Sequence, residues 1–293
     1  MGKKSERINY KEYFNVFQKR TAKNRYAIRG FVSSDAGAVR PNNEDNYLLN
    51  RVWNRNSENK AEQELKACSL DFGWCYGAVF DGMGGGEKGE WASLVAAEEF
   101  EKVLSSAESD TSGEEIDMRA RQAFLNANRR IVEERESRAV YGTTGTLVCT
   151  DGMRFRIYHM GDSRACLFRE GNLYQLTEDQ TLAAMKVRLG FYQNEDECEE
   201  REKHQLTEYI GCDPTMEGLR PKESQWMEWE DGDRLLLCSD GLYDMCSQTE
   251  ICDVMNSSDS MKQTVNQLVG LAIRHGGRDN ITCMLLERMD KND

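Results

Sequence analysis

Short apolar runs that end at turn signals recur along the chain after its first 30 residues. Residues 74–80 (WCYGAVF) and 234–238 (RLLLC) predict buried strands that end near Asp81 and Asp240. Asp151-Gly152 lies between two apolar runs and predicts a tight β-hairpin, and residues 170–172 predict a second hairpin turn. Residues 281–287 (ITCMLLE) predict a last strand. The chain therefore contains several strands joined by short turns.

Apolar residues at helical spacing predict two helices in the middle of the chain and two near its end. The first begins near Gly89, and Ser112 with Glu115 has the spacing of a capping box for the second. The last two cover residues 249–256 and 261–275. This order is not the regular alternation that builds a parallel sheet, so it predicts an α+β layered fold with antiparallel sheets.

Composition fits a soluble globular protein of one large domain or two small ones. The 293 residues are 39% apolar and 30% charged, and their formal net charge is −13. Residues 1–30 hold nine Lys/Arg and two Asp/Glu, whereas the remainder is strongly acidic, which argues against a nucleic-acid partner. We predict a basic N-terminal extension over 1–26, either solvated or docked on an acidic partner, and one folded domain over 27–290.

The cellular compartment is predicted from two further features of the sequence. No apolar run approaches the roughly 18–20 residues that span a membrane, and the N-terminus lacks the apolar core of a signal peptide. The ten cysteines form no Cys-x-x-Cys pair and several lie in apolar runs, which is typical of reduced, buried thiols. We therefore expect a cytoplasmic protein with no membrane span.

Acidic residues recur where a predicted strand meets a turn, usually beside glycine. One such residue is most often a turn aspartate that caps its own backbone. Several of them in one chain are harder to explain this way, and if they converge, a cation must neutralise their repulsion. An all-oxygen set selects Mg²⁺ or Mn²⁺, and two such ions can activate water against a phosphoryl group. The acidic residues at these strand ends are Glu44, Asp45, Asp81, Asp162, Asp240 and Asp279.

Arg40 lies four residues before Glu44 and supplies a complementary charge. A guanidinium binds phosphate oxygens with two parallel hydrogen bonds and keeps its charge at all relevant pH values. In isolation this residue would be interpreted as an exposed surface arginine. Beside an acidic metal cluster, we interpret it as a phosphate ligand.

Six motifs occur in this order: DAGAVRPNNEDN, VFDGMGGGEKGE, YGTTGT, HMGDSRACLF, LLLCSDGLYDM and GGRDNIT. Over about residues 27–288 the chain closely resembles the metal-dependent Ser/Thr protein phosphatases of type 2C, the PPM family, in their bacterial form. The resemblance implies a four-layer α-β-β-α sandwich, in which two antiparallel sheets are each covered by helices. It implies hydrolysis of phosphoserine and phosphothreonine in proteins by direct attack of a metal-bridging hydroxide. It also implies two or three Mn²⁺ or Mg²⁺ ions and a Ser/Thr kinase as the opposing enzyme; we further expect a monomer.

The resemblance also assigns roles to the acidic residues. Asp81 would bridge two metal ions, and the carbonyl of Gly82 would bind one of them. Asp240 and Asp279 would complete the coordination of the other ion, and Glu44 and Asp45 would contact the ions directly or through water. Asp162 matches a position that helps to hold a third, weaker ion, and Arg40 matches the phosphate-binding arginine.

The sequence departs from the family pattern in two places. Met83 stands where many eukaryotic members have a histidine that is proposed as the general acid, and methionine has no proton to donate. A metal-bound water or another group would then protonate the leaving oxygen. Residues 180–225, which would include the flap beside the active site, follow the family only loosely. Within them His204 matches no metal ligand, so we expect it to have a structural or surface role.

Three other functions are compatible with parts of the sequence. Gly84, Gly86 and Gly89 satisfy Gly-x-Gly-x-x-Gly, but the following helix leads to another helix, not to the parallel strand of a dinucleotide-binding unit. A pseudophosphatase that only binds phosphoproteins is less favoured, because Asp81, Asp240 and Asp279 are all present. A phosphatase for a small phosphorylated metabolite could use the same metal centre.

Overall fold

The computed structural model describes residues 25–70, 73–85, 87–108, 110–135, 140–212, 220–258 and 260–291. Residues 1–24 of the expected basic extension therefore lie outside the described residues. The strands are β1 (Tyr26–Asp35), β2 (Asp45–Leu49), β3 (Val52–Trp53), β4 (Lys60–Ser69), β5 (Cys75–Met83), β6 (Gly142–Thr143), β7 (Gly145–Thr150), β8 (Arg154–Met160), β9 (Arg164–Arg169), β10 (Asn172–Gln175), β11 (Lys222–Glu223), β12 (Met227–Glu228), β13 (Arg234–Cys238) and β14 (Ile281–Asp290). The helices are α1 (Glu87–Leu104), α2 (Gly113–Glu133), α3 (Leu182–Arg188), α4 (Glu200–Lys203), α5 (Asp240–Tyr243), α6 (Gln248–Ser257) and α7 (Met261–Arg274).

These strands form two antiparallel sheets. One has six strands in the order β10-β9-β13-β14-β1-β4, and β1 pairs with β14 along its full length, from Tyr26 opposite Asp290 to Asp35 opposite Ile281. The other is built on the order β11-β8-β7-β5-β2-β3, with β12 on β8 and β6 on β5. Every neighbouring pair runs antiparallel, so among the described strands nothing corresponds to a parallel dinucleotide-binding unit.

Helices cover the outer face of each sheet, and the molecule is a four-layer α-β-β-α sandwich. The core between the sheets joins residues of both, including Val32, Val79, Val148, Leu237 and Met284. Helices α1 and α2 pack on the larger sheet, and α6 and α7 pack on the six-stranded one. The predicted fold class is therefore confirmed.

Most predicted elements are present, because their signals are local. The hairpin at Asp151-Gly152 joins β7 to β8, with Gly152 at φ +81°, and the Ser112–Glu115 capping box begins α2. The apolar pattern did not predict β1, β4 or the two-residue strands β3, β11 and β12. Strand β4, KAEQELKACS, is an edge strand rich in charged residues, so it carries little apolar signal. Within the described part of the chain, no helix combines the length and apolar character needed to cross a bilayer.

Antiparallel pairing brings the predicted acidic residues to one edge of the sandwich. The start of β2 lies beside the end of β5, so Asp45 is directly opposite Asp81. In the other sheet Cys238 at the end of β13 pairs with Cys283 near the start of β14, which brings Asp240 close to Asp279. Chain segments that are distant in sequence therefore meet in one place.

Candidate metal centre

A cleft of about 840 Å³ opens where these strand ends meet. Seven of the eight residues predicted to form the site line it: Arg40, Glu44, Asp81, Gly82, Asp162, Asp240 and Asp279. The eighth, Asp45, lies just behind the cleft and is only 1% exposed. The structure thus brings together every residue that the sequence pattern singled out.

Asp45 is held by the opposite sheet. The hydroxyl of Ser239 donates to Asp45 Oδ2 over 2.7 Å, and the same hydroxyl accepts the backbone N–H of Thr282 at 3.0 Å. Burial raises the pKa of Asp45 from its ordinary value of 3.8 to about 8, although hydrogen bonds from Ser239 and Thr282 oppose the rise. Without a cation, this carboxyl therefore holds a proton near neutral pH.

Asp81 is fixed through its backbone by the threonines of the YGTTGT motif. Its N–H donates to Thr144 Oγ1 at 2.9 Å, and its carbonyl accepts from Thr143 Oγ1 at 2.9 Å and from the Thr144 N–H at 2.8 Å. The side chain is left free to face the cleft. Burial first, and then repulsion by Asp240 and Asp45, raises the pKa of Asp81 well above its ordinary value.

Asp162 and Asp244 extend the acidic cluster across the cleft. Burial and the charge of Asp240 raise the pKa of Asp162 well above its ordinary value. The pKa of Asp244 rises to about 6 for the same two reasons, while His204 opposes the rise. Asp244 lies four residues after Asp240, and this spacing is a sequence signal that places both side chains on the same side of a helical turn.

Glu44 lies where two glycines allow close contact between β5 and α1. Its backbone N–H donates to Asn280 Oδ1 at 2.7 Å, and its carbonyl accepts from the Gly82 N–H at 3.2 Å. A Cβ on Gly89 would lie 1.9 Å from Glu44 Oε2, and one on Gly82 would lie 2.2 Å from the Gly89 carbonyl oxygen. Glycine at both positions is therefore required to keep Glu44 and the Gly82 carbonyl in place.

Arg40 reaches the cleft from the loop before β2. One Nη donates to Asp279 Oδ2 at 2.6 Å, and Glu44 and Asp81 act on the same guanidinium at longer range. The side chain remains 48% exposed, so part of its donor fork faces solvent. It can hold an anion in the cleft without leaving Asp279.

His204 also faces the cleft. We expected a structural or surface role, and the half-exposed side chain places Nδ1 3.6 Å from Asp244 Oδ2 and 3.9 Å from Asp240 Oδ2. Its interaction with Asp240 raises its pKa to about 9. No local pattern predicts this contact, because His204 lies in an irregular segment whose position depends on tertiary packing.

The side chains at this site fit hard divalent cations. Asp45 Oδ1 and Asp240 Oδ1 are buried and have no hydrogen-bond partner among the described residues. Such oxygens are costly unless a cation or a proton satisfies them. The predicted ligands offer oxygen alone, which suits Mg²⁺ or Mn²⁺ better than zinc or copper.

Comparisons with known proteins agree with this geometry. The family model described as Protein phosphatase 2C matches residues 53–285. A "Serine/threonine phosphatase stp" from Listeria welshimeri is 32% identical over 262 residues, which cover 87% of this chain and 94% of the relative. The "Serine/threonine protein phosphatase PstP" of Mycobacterium tuberculosis is 32% identical over 271 residues, or 91% of this chain and 45% of that protein.

Solved structures show the same fold. The serine/threonine phosphatase of S. agalactiae superposes with a TM-score of 0.74 at 26% identity and covers 88% of this chain and 98% of its own. The catalytic domain of PstP, solved in complex with two manganese ions, gives a TM-score of 0.70 at 28% identity, over 90% of this chain and all of that one. On the motifs, the fold and these matches together, the chain belongs to the protein phosphatase 2C family, with bacterial relatives.

Proposed function

We propose that this protein is a metal-dependent phosphatase that hydrolyses phosphoserine and phosphothreonine in proteins. The observation that carries the proposal is the meeting of carboxylates from both sheets with Arg40 in one open cleft. The named Ser/Thr phosphatases among its relatives support the same substrate class. An open cleft at the rim of a sandwich suits a phosphorylated side chain on a protein surface.

We propose Glu44, Asp45, Asp81, the Gly82 carbonyl, Asp162, Asp240 and Asp279 as the groups that hold two or three Mn²⁺ or Mg²⁺ ions. When bound, such ions lower the pKa of water and place positive charge beside the phosphoryl oxygens. Arg40 binds the phosphate oxygens with the donors that Asp279 leaves free and stabilises the charge that they gain as the bond breaks. Ser239 and the two threonines of 143–144 keep the carboxylates in position.

Met83 lines the cleft but has no proton to donate. The leaving serine or threonine oxygen therefore takes its proton from another source, and we propose water in the open cleft. The bacterial form of the motif, with methionine at this position, then implies a working enzyme with a different proton donor.

We also propose the cellular context that such an enzyme implies. The protein would act in the cytoplasm as a monomer, in signalling, against a Ser/Thr kinase of the same cell. Its catalytic domain would cover residues 27–290, preceded by a basic extension over 1–26. These proposals rest on the family and on the charge distribution of the sequence.

Activity against a matched panel of substrates tests the proposed substrate class. We expect the Mn²⁺-loaded protein to hydrolyse phosphothreonine and phosphoserine peptides, and an aryl phosphate more slowly. Phosphotyrosine peptides and small phosphorylated sugars should be poor substrates. Preferential hydrolysis of a small metabolite would favour the metabolite phosphatase. Binding of phosphopeptides without release of phosphate would favour the pseudophosphatase.

A further inference from the structure

One wall of the cleft is formed by the acidic segment 194–204, NEDECEEREKH, which contains a 3₁₀ turn (Glu195–Glu197) and α4. Glu195, Asp196 and Glu200 from this segment line the same cleft as Arg40 and the proposed metal ligands. All three are exposed. A protein substrate whose phosphate reaches Arg40 must therefore pass beside this wall.

Two of these carboxylates, those of Glu195 and Asp196, are not paired with the cations of the cleft. Among the residues that the structure describes, neither the Glu195 nor the Asp196 carboxylate forms an ion pair. Arg164 is bound to Asp179 at 2.6 Å, and Lys203 is bound to Glu200 at 3.2 Å. The pKa of Glu195 is raised, first by burial and then by the charge of Asp179, whereas Arg164 and Lys203 oppose the rise.

The lining of the whole cleft also carries more negative than positive charge. Among the described residues, ten carboxylates line it against four Lys/Arg side chains and His204, whose pKa of about 9 keeps it positively charged near neutral pH. Two divalent ions would contribute four further positive charges and leave one negative charge in excess over the whole cleft. Those ions would bind the carboxylates at the strand ends, so the excess is concentrated on the segment that faces the substrate chain beyond its phosphate.

From this arrangement we infer that Glu195 and Asp196 select phosphoproteins with Lys or Arg close to the phosphorylated residue. The inference deepens the proposed function and rests on it. The phosphate would bind Arg40 and the metal centre, while basic side chains of the substrate would bind the two free carboxylates. Acidic residues beside the phosphorylated residue would be repelled by the same wall.

A double variant with a matched control tests this inference. Glu195→Gln with Asp196→Asn removes two negative charges from the wall. Glu197→Gln with Glu199→Gln removes the same charge from the same segment, at positions that do not line the cleft. Each protein is assayed with saturating Mn²⁺ on phosphothreonine peptides that differ only in Arg, Ala or Glu at the flanking positions, and on an aryl phosphate.

We expect the wild-type protein to prefer the Arg peptide over the Glu peptide in kcat/KM, mainly through KM. Two exposed ion pairs of ordinary strength correspond to a preference of about two- to thirtyfold. High salt should weaken it, because exposed charges are screened. The cleft variant should lose most of this preference, whereas the control variant should keep it, and hydrolysis of the aryl phosphate should be unchanged in both.

Several results would overturn the inference. One is equal kcat/KM for the Arg and Glu peptides in the wild-type protein, and another is an unchanged preference in the cleft variant. A weakened Mn²⁺ affinity in the cleft variant would mean that these carboxylates bind metal, not substrate. If the wild-type protein hydrolyses neither the aryl phosphate nor any peptide, the proposed function itself has failed, and this outcome differs from a loss of selectivity alone.

Discussion

Ser239 joins the two sheets at the level of a single side chain. It follows β13 in the six-stranded sheet, and its hydroxyl donates to Asp45 on β2 of the other sheet over 2.7 Å. We expect Ser239→Ala to weaken Mn²⁺ binding about 10- to 100-fold, as loss of a partner that orients a metal ligand does in other sites. Ser260→Ala removes the cap of α7 and should lower stability by about 1 kcal/mol without changing Mn²⁺ affinity. Calorimetric titration compares the two, and wild-type affinity in Ser239→Ala would argue against Asp45 as a ligand.

Arg40 gives a second prediction at this scale. Its removal deletes a charged donor fork from the cleft, so Arg40→Ala should lower kcat/KM for a phosphothreonine peptide by about 100-fold or more. Arg40→Lys should recover only part of the loss, because an ammonium keeps the charge but not the two parallel hydrogen bonds. Mn²⁺ affinity should not fall in either variant, because Asp279 only loses a competing cation. Equal kcat/KM in wild-type and Arg40→Ala would remove this residue from the mechanism.

The residues that could be predicted from sequence are those with a local signal. Asp81 and Asp240 each end an apolar strand and precede glycine, and this pattern is visible without the fold. Ser239, Thr144 and Asn280 act on acidic residues from other parts of the chain, across sheets or between loops. Their roles depend on which strands meet, so the sequence offered no local pattern for them.

The junction between β5 and α1 supports a prediction at the scale of elements. In an ordinary helix Gly→Ala stabilises by up to about 1 kcal/mol. At Gly89 the new Cβ would lie 1.9 Å from Glu44 Oε2 and would displace that carboxylate. Gly89→Ala should therefore weaken Mn²⁺ activation. Gly270→Ala in α7 is the matched control, because its Cβ meets only the flexible end of Arg274 at 3.3 Å.

The readouts for this pair are the Mn²⁺ concentration for half-maximal activity and the melting temperature. We expect Gly270→Ala to leave the Mn²⁺ requirement unchanged and to raise the melting temperature slightly. Gly89→Ala should need more Mn²⁺. If it behaves like Gly270→Ala, Glu44 contributes nothing to metal binding.

Helices, strands and turns could be predicted where the chemistry of a few neighbouring residues determines them. A few residues each predict the capping box at Ser112 and the turn at Gly152, and both are present. The pairing order of the strands was not available in this way. The register that places Asp45 opposite Asp81 depends on contacts between β2 and β5, which 25 intervening residues separate. The resemblance to the family supplied the four-layer arrangement that the apolar pattern alone left open.

At the scale of the whole molecule, the clustered carboxylates predict how stability depends on pH. In the metal-free folded protein the pKa of Asp45 is about 8, and those of Asp81 and Asp162 are well above their ordinary values. The unfolded chain loses these protons near pH 4. Because the folded state binds more protons between these limits, its stability must fall as pH rises from about 5 to 8.

Thermal denaturation with chelator and with Mn²⁺ checks this dependence. We expect the melting temperature in chelator to decrease from pH 5 to pH 8, and the stabilisation by Mn²⁺ to increase over the same range as bound ions replace protons. Asp45→Asn should raise the metal-free melting temperature at pH 8, since it removes a buried acid. A metal-free protein that becomes more stable between pH 5 and pH 8 would contradict the proposed cluster.

The net charge of the chain is also explained in part at this scale. The formal charge of −13 combines a basic N-terminal segment with a strongly acidic remainder. Part of that acidity lies at the strand ends, where it would bind cations, and part lies on the 194–204 wall, where it would meet substrate. The molecule that acts on phosphoproteins is therefore less acidic at its cleft than the sequence alone indicates.

The most direct test of the central claim is the release of phosphate from a phosphothreonine peptide as a function of Mn²⁺, measured for the wild-type protein and for Asp240→Asn. We expect wild-type activity to rise with Mn²⁺, to disappear with excess chelator and to return when Mn²⁺ is restored. The variant should be at least about 100-fold slower at any Mn²⁺ concentration, because the ions supply several kcal/mol of charge stabilisation. Activity that survives chelation, or that Asp240→Asn leaves intact, would contradict catalysis by metal ions held in this cluster.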